Sequence, residues 1–254
     1  MVSGHRLRLL SYNIQSGIAS DRYRHYITKS WRHVLPHADR WTNLKQIADR
    51  LSGYDLVGLQ ETDAGSLRTS FINQTEYLAA HSGFPFWYDQ TNRKLGQLAR
   101  HSNGVLSRWR PREVREYRLP GLHGRGALFI RFGSRSNGLA VFIVHLALGP
   151  LARARQIAFL CERIKEHPLA IVMGDLNCST SNVSVQQMLD TTGLHAPSDT
   201  LSTFPSWRPR RSLDHILISR ELEMLHVDSP DWAFSDHRPV AMEILVPEQV
   251  TLTR

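Results

Sequence analysis

The stretch "IVMGDLNCST" (Ile171–Thr180) decides how the chain is read. The apolar run "LAIVMG" (169–174) is short, so it predicts a buried strand rather than a helix. It stops at Gly174, and an acid, one apolar residue and an amide follow: Asp175, Leu176 and Asn177. Alternate positions of a strand point the same way, so a carboxylate and a carboxamide are predicted to leave the strand mouth together. A lone Asp at a strand end commonly makes a turn by bonding its own backbone. The neighbouring strands therefore matter.

Working outward, "RLRLLSY" alternates Leu7 and Leu9 with Arg6 and Arg8 and predicts a strand that ends near Asn13. Leu44, Ile47 and Leu51 recur at helical spacing before Gly53. "DLVGLQ" (55–60) predicts a short buried strand, and Phe71, Leu78 and Gly83 suggest a second helix. "ALFIRF" (127–132) and "GLAVFIVHL" (138–146) predict a hairpin, with Asn137-Gly138 as the turn signal. Pro150 opens a helix whose apolar stripe is Ile157, Leu160, Cys161 and Ile164. A helix over 183–191 and strands "LDHILIS" (213–219) and "PVAMEILV" (239–246) complete the chain. No Gly-, Ser- or Pro-rich linker divides it and no short repeat occurs. One layered α/β domain over 1–254 is expected, sheet on sheet with helices outside.

At 254 residues, with 41% hydrophobic and 21% charged residues, the chain can bury a core without staples. Its two cysteines, Cys161 and Cys178, exclude a disulfide framework and cannot alone supply a four-ligand zinc site. No apolar run approaches the ~20 residues that span a bilayer. The N-terminus passes directly into a strand pattern, so no signal peptide fits, and a cytoplasmic monomer is expected. The net charge of +8 attracts polyanions, either nucleic acid or an anionic membrane surface.

Several predicted strands end in polar groups: Asn13, Gln60-Glu61, His145, and Asp175 with Asn177. Asp214 opens another strand, and Asp236-His237 precedes the last. Ligand sites of layered α/β proteins gather at strand ends. Carboxylate and amide oxygens suit a hard divalent cation such as Mg²⁺. Such an ion neutralises phosphate oxygens, an ionised Asp can orient or deprotonate water, and a His charged by a neighbouring Asp can stabilise developing charge. The set therefore suits hydrolysis at phosphorus. Zinc fits less well: there is no HExxH or paired CxxC, and Pro36 separates His33 from His37.

The ordered motifs "SYNIQ", "LQET", "SNGVLSR", "VHLALG", "MGDLNC", "SLDHIL" and "SDHRPV" resemble the endonuclease/exonuclease/phosphatase superfamily, the fold of DNase I, from residue 9 to residue 246. The resemblance implies an α/β four-layer sandwich: two mixed β-sheets packed face to face, with helices on both outer faces. It implies a metal-dependent phosphodiesterase using Mg²⁺ or Mn²⁺, with Glu61 as the principal ligand, Asn13 beside it, and Asp236 as an additional metal-site aspartate. Asp175 would orient or activate water, and Asn177 would hold phosphate or water. His237 would contact the scissile phosphate, oriented by Asp214. His145 matches a histidine that some members place near the leaving group; the glutamate that supports it in DNase I has Glu76 as its nearest candidate. The sequence lacks the tryptophan-containing motif and the "CDR" of inositol polyphosphate 5-phosphatases. "VHLALGPLARARQ" resembles small bacterial members and some sphingomyelinase-like ones.

Substrate contacts are expected from Asn103 in "SNGVLSR", from Arg125 in "HGRGALFI", from Arg210 in "SWRPRR" and from Arg32. Arg32 belongs to a basic, aromatic segment, 18–41, with Arg22, Arg24, Lys29, Arg40, Tyr23, Tyr26, Trp31 and Trp41. Charges for phosphates and rings for unpaired bases suit nucleic acid, which is the favoured polyanionic phosphodiester substrate. The same residues suit an anionic lipid surface, and a lipid headgroup or small phosphoester is the alternative.

Overall fold

The computed structural model describes residues 4–18, 38–121, 123–198 and 201–254. Two six-stranded sheets face each other. In chain order the strands are β1 (Gly4–Asn13), β2 (Leu56–Asp63), β3 (Phe86–Leu95), β4 (Ala99–Ser107), β5 (Glu113–Arg118), β6 (Gly126–Phe132), β7 (Leu139–His145), β8 (Leu169–Asp175), β9 (Leu194–His195), β10 (Asp214–Ser219), β11 (Glu223–Asp228) and β12 (Val240–Pro247). The helices are α1 (Ala38–Leu51), α2 (Gln74–Ser82), α3 (Pro150–Ile164) and α4 (Val183–Thr192). One sheet runs β11-β12-β1-β2-β4-β3 and the other β5-β6-β7-β8-β10-β9. Each is antiparallel except for a central parallel pair, β1/β2 and β7/β8. A crossover segment containing α1 joins the first pair and α3 joins the second, as parallel neighbours require.

Strand alternation builds the layers. Leu7 and Leu9 of β1 enter the core between the sheets, with Leu128, Ile143, Met173 and Ile216 of the other sheet. Leu10 and Tyr12 point the opposite way and pack under α1 and α2, on Leu44, Ile47 and Leu78. On the far side Phe142, Val144 and Val172 meet Ile157, Leu160 and Ile164 of α3 and Met188 of α4. The result is the four-layer sandwich. Gly58 marks how closely the sheets approach: a Cβ there would sit 2.8 Å from Ile143 Cδ1. Helix ends carry the predicted signals. Pro150 sits in the first turn of α3, and Gly83 caps α2 at φ 71°.

The structure departs from the sequence reading in particular places. Phe71 lies outside α2, exposed in the preceding loop, because the helix starts only after Asn73 caps it. The β6–β7 hairpin closes through the longer loop 133–138, with Gly133 rather than Asn137 at positive φ. Strands β3, β4, β5, β9 and β11 had no counterpart in the periodicity. Arg40 and Trp41 do not form a solvent-facing patch. Arg40 is buried in α1 and donates to the Arg68 carbonyl, and the Trp41 ring packs 5.3 Å from Tyr77. Arg22, Tyr23, Arg24, Tyr26, Lys29, Trp31, Arg32, His33 and His37 lie outside the described residues. Both cysteines are buried and free. No helix among the described residues is long and apolar enough to cross a membrane.

Candidate active site

The carboxyl ends of the two central parallel pairs converge. Asn13 pairs in register with Gln60, and His145 with Asp175. Antiparallel β10 sets Asp214 opposite Asp175. His237 arrives from the segment before β12. Strand topology alone therefore delivers Asn13, His145, Asp175 and Asp214 to one rim.

Glu61 needs a further device. Between Leu59–Gly104 and Thr62–Ser102 the β2/β4 register slips, so Gln60 and Glu61 together oppose the single residue Asn103. Glu61 adopts φ 55°. This is a β-bulge, which re-aims a side chain at a strand end. It turns the Glu61 carboxylate toward Asn13, whose Nδ2 donates to Glu61 Oε1 at 3.4 Å and to Asp175 Oδ2 at 3.2 Å. His145 Nε2 lies 3.5 Å from Asp175 Oδ2 and 4.0 Å from Glu61 Oε1. Asn177 is placed by a turn rather than by strand alternation. It follows the end of β8 at φ 55°, its N–H donates to Asp175 Oδ1 at 2.8 Å, and its Nδ2 donates to the Leu146 carbonyl at 2.8 Å.

On the other flank His237 Nδ1 donates to Asp214 Oδ2 at 2.8 Å. The same oxygen accepts from Thr203 Oγ1 at 2.6 Å, while Asp214 Oδ1 is buried without a partner. The far nitrogen of His237, Nε2, lies 4.0 Å from Asp175 Oδ2. Phe204 covers the imidazole, centroid to centroid 4.9 Å. Ser235 Oγ ties this segment to β1 by donating to the Asn13 carbonyl at 2.7 Å, and it lies 3.2 Å from Asp236 Oδ1.

Electrostatics separate the roles. Burial, then the charge of Asp214, pushes Asp175 up to about 7. Asp236 rises to about 6, first through burial and then through Glu61. His237 is buried, which works against its charge, yet Asp214, Asp175 and Asp236 lift it to about 10, so it is an imidazolium at neutral pH. His145 goes the other way. Burial, Arg125, His237 and His101 hold it well below the ordinary histidine value, so it is neutral. Two similar rings therefore carry opposite charge states. Glu76, the expected support for His145, does not reach it: it is exposed in the first turn of α2, and the glutamate near His145 is Glu61.

The remaining predicted residues fall differently. Arg125 lines a cleft of about 200 Å³ with Glu61, Arg93, His101, His123 and His145. Asn103 forms part of its wall, but the Asn103 Nδ2 is spent on the Gly126 carbonyl at 3.0 Å, which fixes the start of β6 beside Arg125. Arg210 is exposed in the turn that carries Phe204. Arg153 and Gln156 were visible in "ARARQ" without a role. Arg153 NH1 donates to the carbonyls of Ala147, Leu148 and Asn177, and Gln156 Oε1 accepts from the Ala147 N–H at 2.8 Å. Together they clamp the loop after His145 to the loop after Asp175. A buried Arg and Gln inside an amphipathic helix was the available signal.

Asp175, Asp214 and His237 offer ligand atoms within 4.8 Å of one another, a cluster able to coordinate a divalent cation. The pattern that defines the Endonuclease/Exonuclease/phosphatase family matches residues 10–237. The chain belongs to this family. The curated relatives it matches include YbhP of Escherichia coli K12, an uncharacterized protein, 32% identical over 158 residues, 57% of this chain and 62% of YbhP. The chain thus aligns with 62% of the length of the curated relatives it matches. Among solved structures, a family protein from Bacteroides thetaiotaomicron superposes with a TM-score of 0.75 at 16% identity, covering 97% of this chain and 100% of that one. A family member from Beutenbergia cavernae gives 0.72 at 18% identity, covering 95% and 72%. These two likenesses concern the fold. Family membership and the cation-competent cluster together support a metal-dependent phosphoesterase.

Proposed function

We propose that the protein hydrolyses phosphodiesters with a bound Mg²⁺ or Mn²⁺ ion, by attack of water on phosphorus. The observation that carries this reading is the buried relay Asp214–His237 set 4.0 Å from Asp175, with Glu61 across the cleft.

The donors fit a hard cation. Asp175 and Asp236 are both lifted in part by other carboxylates, a crowding of negative charge that a divalent ion relieves. Two placements are open to it. In the Asp175, Asp214 and His237 cluster, His237 Nδ1 is already committed to Asp214. Glu61 faces the cleft one-third exposed, with Asn13 beside it and Asp236 near enough to feel its charge. Oxygen donors alone suit Mg²⁺ or Mn²⁺, so Glu61, Asn13 and Asp236 would hold the ion. When bound, it supplies neutralisation of phosphate oxygens and support for the leaving oxygen.

The chain's own residues do the rest. Asp175, in its ionised form, accepts the proton of the attacking water, and a carboxylate near pH 7 is well matched to that task. Asn177 holds Asp175 Oδ1 through its N–H, keeping Oδ2 toward the cleft. His237 presents Nε2–H, positively charged, to the oxygen on which charge develops. His145, neutral, donates a hydrogen bond rather than a full proton. Arg125 binds a non-reacting phosphate oxygen.

The net charge of +8 supports a polyanionic substrate, nucleic acid foremost, and Arg125, Arg93 and His123 line the cleft where they can contribute. A lipid headgroup is a second reading, favoured by apolar side chains around the mouth. The test is a panel with Mg²⁺ and Mn²⁺: plasmid, single-stranded DNA, RNA, phospholipid and bis-p-nitrophenyl phosphate, with Asp175→Asn as control. Cleavage of the chromogenic diester and of nucleic acid by the wild type alone is expected. Intact diesters throughout, or an equally active Asp175→Asn protein, would refute the reading.

A further inference from the structure

The apolar residues left in solvent are not scattered. Nine large hydrophobic side chains are exposed among the described residues: Leu67, Phe71, Ile72, Leu95, Leu98, Leu148, Leu151, Val183 and Leu225. All but Leu225, which sits within β11, belong to the end of the sandwich where the site opens. Leu67, Phe71 and Ile72 follow β2. Leu95 and Leu98 form the tip of the β3–β4 hairpin. Leu148 and Leu151 follow His145 at the end of β7, and Val183 follows the turn after Asp175. Single exposed hydrophobics are ordinary on a protein surface, but a cluster around one functional mouth is not.

The first two loops are bonded edge to edge. Leu67 N donates to Gln97 O at 2.8 Å, Arg68 N to Leu98 O at 3.4 Å, and Leu98 N to Leu95 O at 3.0 Å. Their support is rigid. The buried Asp63 carboxylate accepts from Ser66 Oγ, Thr69 Oγ1, Arg68 Nε and the Arg100 N–H. Phe71, 61% exposed, is held at φ 63° directly after Ser70 at φ 51°. A bulky residue in the left-handed region is strained, and such strain is kept where the surrounding loop imposes it. Here the loop spends it on displaying an aromatic ring to solvent.

The charges around these side chains are mainly positive. Arg93 and Lys94 are exposed on the β3–β4 hairpin, with Arg100 and Arg125 half-buried beside them, whereas Arg68 is buried and paired with Asp63; the acids near these loops are Glu61, one-third exposed in the cleft, and Glu76, exposed in the first turn of α2. Asp231 is paired with Arg238 at 2.7 Å. Apolar side chains among an excess of cations complement an anionic lipid surface: rings and branched chains enter the headgroup boundary and Lys and Arg meet lipid phosphates. Nucleic acid would use the cations but gains little from exposed Leu, Ile and Val.

We propose that this end of the molecule docks on an anionic phospholipid bilayer, with the mouth of the site turned toward the headgroups. The docking surface stands apart from the chemistry assigned to the site, and its test needs no turnover. The wild type is sedimented with vesicles of phosphatidylcholine containing phosphatidylglycerol, and with phosphatidylcholine alone. Two variants are compared: Phe71→Ser combined with Leu98→Ser and Leu151→Ser, and Lys94→Glu alone. Both alter exposed positions, and circular dichroism with thermal melting serves as the check that they fold. The wild type should bind the anionic vesicles, more weakly as salt rises, and the triple variant should lose on the order of tenfold or more in partitioning. Lys94→Glu should lose less, and only on the anionic vesicles. A wild type that stays in the supernatant, or a triple variant that sediments as well as the wild type, would overturn the proposal. A wild type that ignores vesicles but dimerises in light scattering, with the triple variant monomeric, would overturn it in favour of a second copy as the occupant.

Discussion

Replacing Asp214 with Asn probes the relay most sharply, because it keeps the shape and removes one charge. His237 stands at about 10 against 6.5 for the free side chain, despite burial that works against the imidazolium. That gap of about 3.5 units corresponds to on the order of 5 kcal/mol at about 1.4 kcal/mol per unit. Three carboxylates share it, and Asp214 is the largest contributor, by charge and by the 2.8 Å hydrogen bond. If Asp214 carries half or more, its loss lowers His237 by roughly two units, about 3 kcal/mol, so turnover changes little at pH 7 and falls on the order of 10²-fold relative to the wild type only at about pH 10 and above. Two assays check this: the pH profile of diester hydrolysis, and an NMR titration of the His237 ring. Wild-type turnover should fall as pH rises through about 10; in Asp214→Asn the same limb should come roughly two units earlier. Stability follows the same sign. A folded value raised above the unfolded one contributes fully below about 6.5, and that contribution is lost as pH rises through about 10. The melting temperature of the wild type should therefore drop across that window more than that of the variant. An Asp214→Asn protein whose His237 titrates where the wild-type ring does, or whose turnover at about pH 10 is unchanged, would refute the relay.

Other substitutions test other parts. Glu61→Gln should weaken Mn²⁺ binding to the chelator-stripped protein by tenfold or more, by a rough estimate from the loss of one anionic ligand; equal affinity, read from the electron paramagnetic signal of free Mn²⁺, would move the ion to the Asp175, Asp214 and His237 cluster. Gly174→Ala places a Cβ against the Val144 carbonyl at φ 151°, so thermal melting should show a loss on the order of 3 kcal/mol, and an unchanged melt would contradict the β7/β8 packing. Arg153→Ala removes the clamp on the Ala147, Leu148 and Asn177 carbonyls; kcat on a chromogenic diester should fall by roughly tenfold with KM little changed, since positioning rather than substrate contact is lost.

The strands that could be read from the sequence are those buried on one or both faces. In β7 and β8 every residue is buried, and each appears as an unbroken apolar run. The strands that escaped notice are mostly at or near sheet edges. In β5 ("EVREYR") and β11 ("EMLHVD") no residue is fully buried, so neither carries an apolar period to detect. β4 ("ARHSNGVLS") is paired on both sides and well covered, but Ser102, Asn103, Gly104 and Ser107 are buried alongside Ala99, Val105 and Leu106, so polar and apolar residues share the interior and no hydrophobic period shows. The site divides along the same line. Asn13, His145, Asp175 and Asp214 stand at strand ends in register with one another, and their residue types advertise them. Glu61 reaches the site only through a bulge, and Asn177 only through a left-handed turn, neither of which leaves a mark in composition. Arg40 and Trp41 resembled a basic, aromatic surface because sequence does not say which side of a helix faces inward until its partners, Arg68 and Tyr77, are in place.

The central claim is that the ion at the Glu61 cleft and the Asp175–His237 pair together hydrolyse a phosphodiester. It is tested most directly by measuring hydrolysis of bis-p-nitrophenyl phosphate by the full chain after exhaustive chelation, and again after stepwise addition of Mn²⁺. Turnover should vanish on chelation and return in proportion to the Mn²⁺ bound, in the wild type but not in Asp175→Asn. Undiminished turnover by protein shown to be free of metal, or no turnover at any Mn²⁺ concentration, would contradict the account.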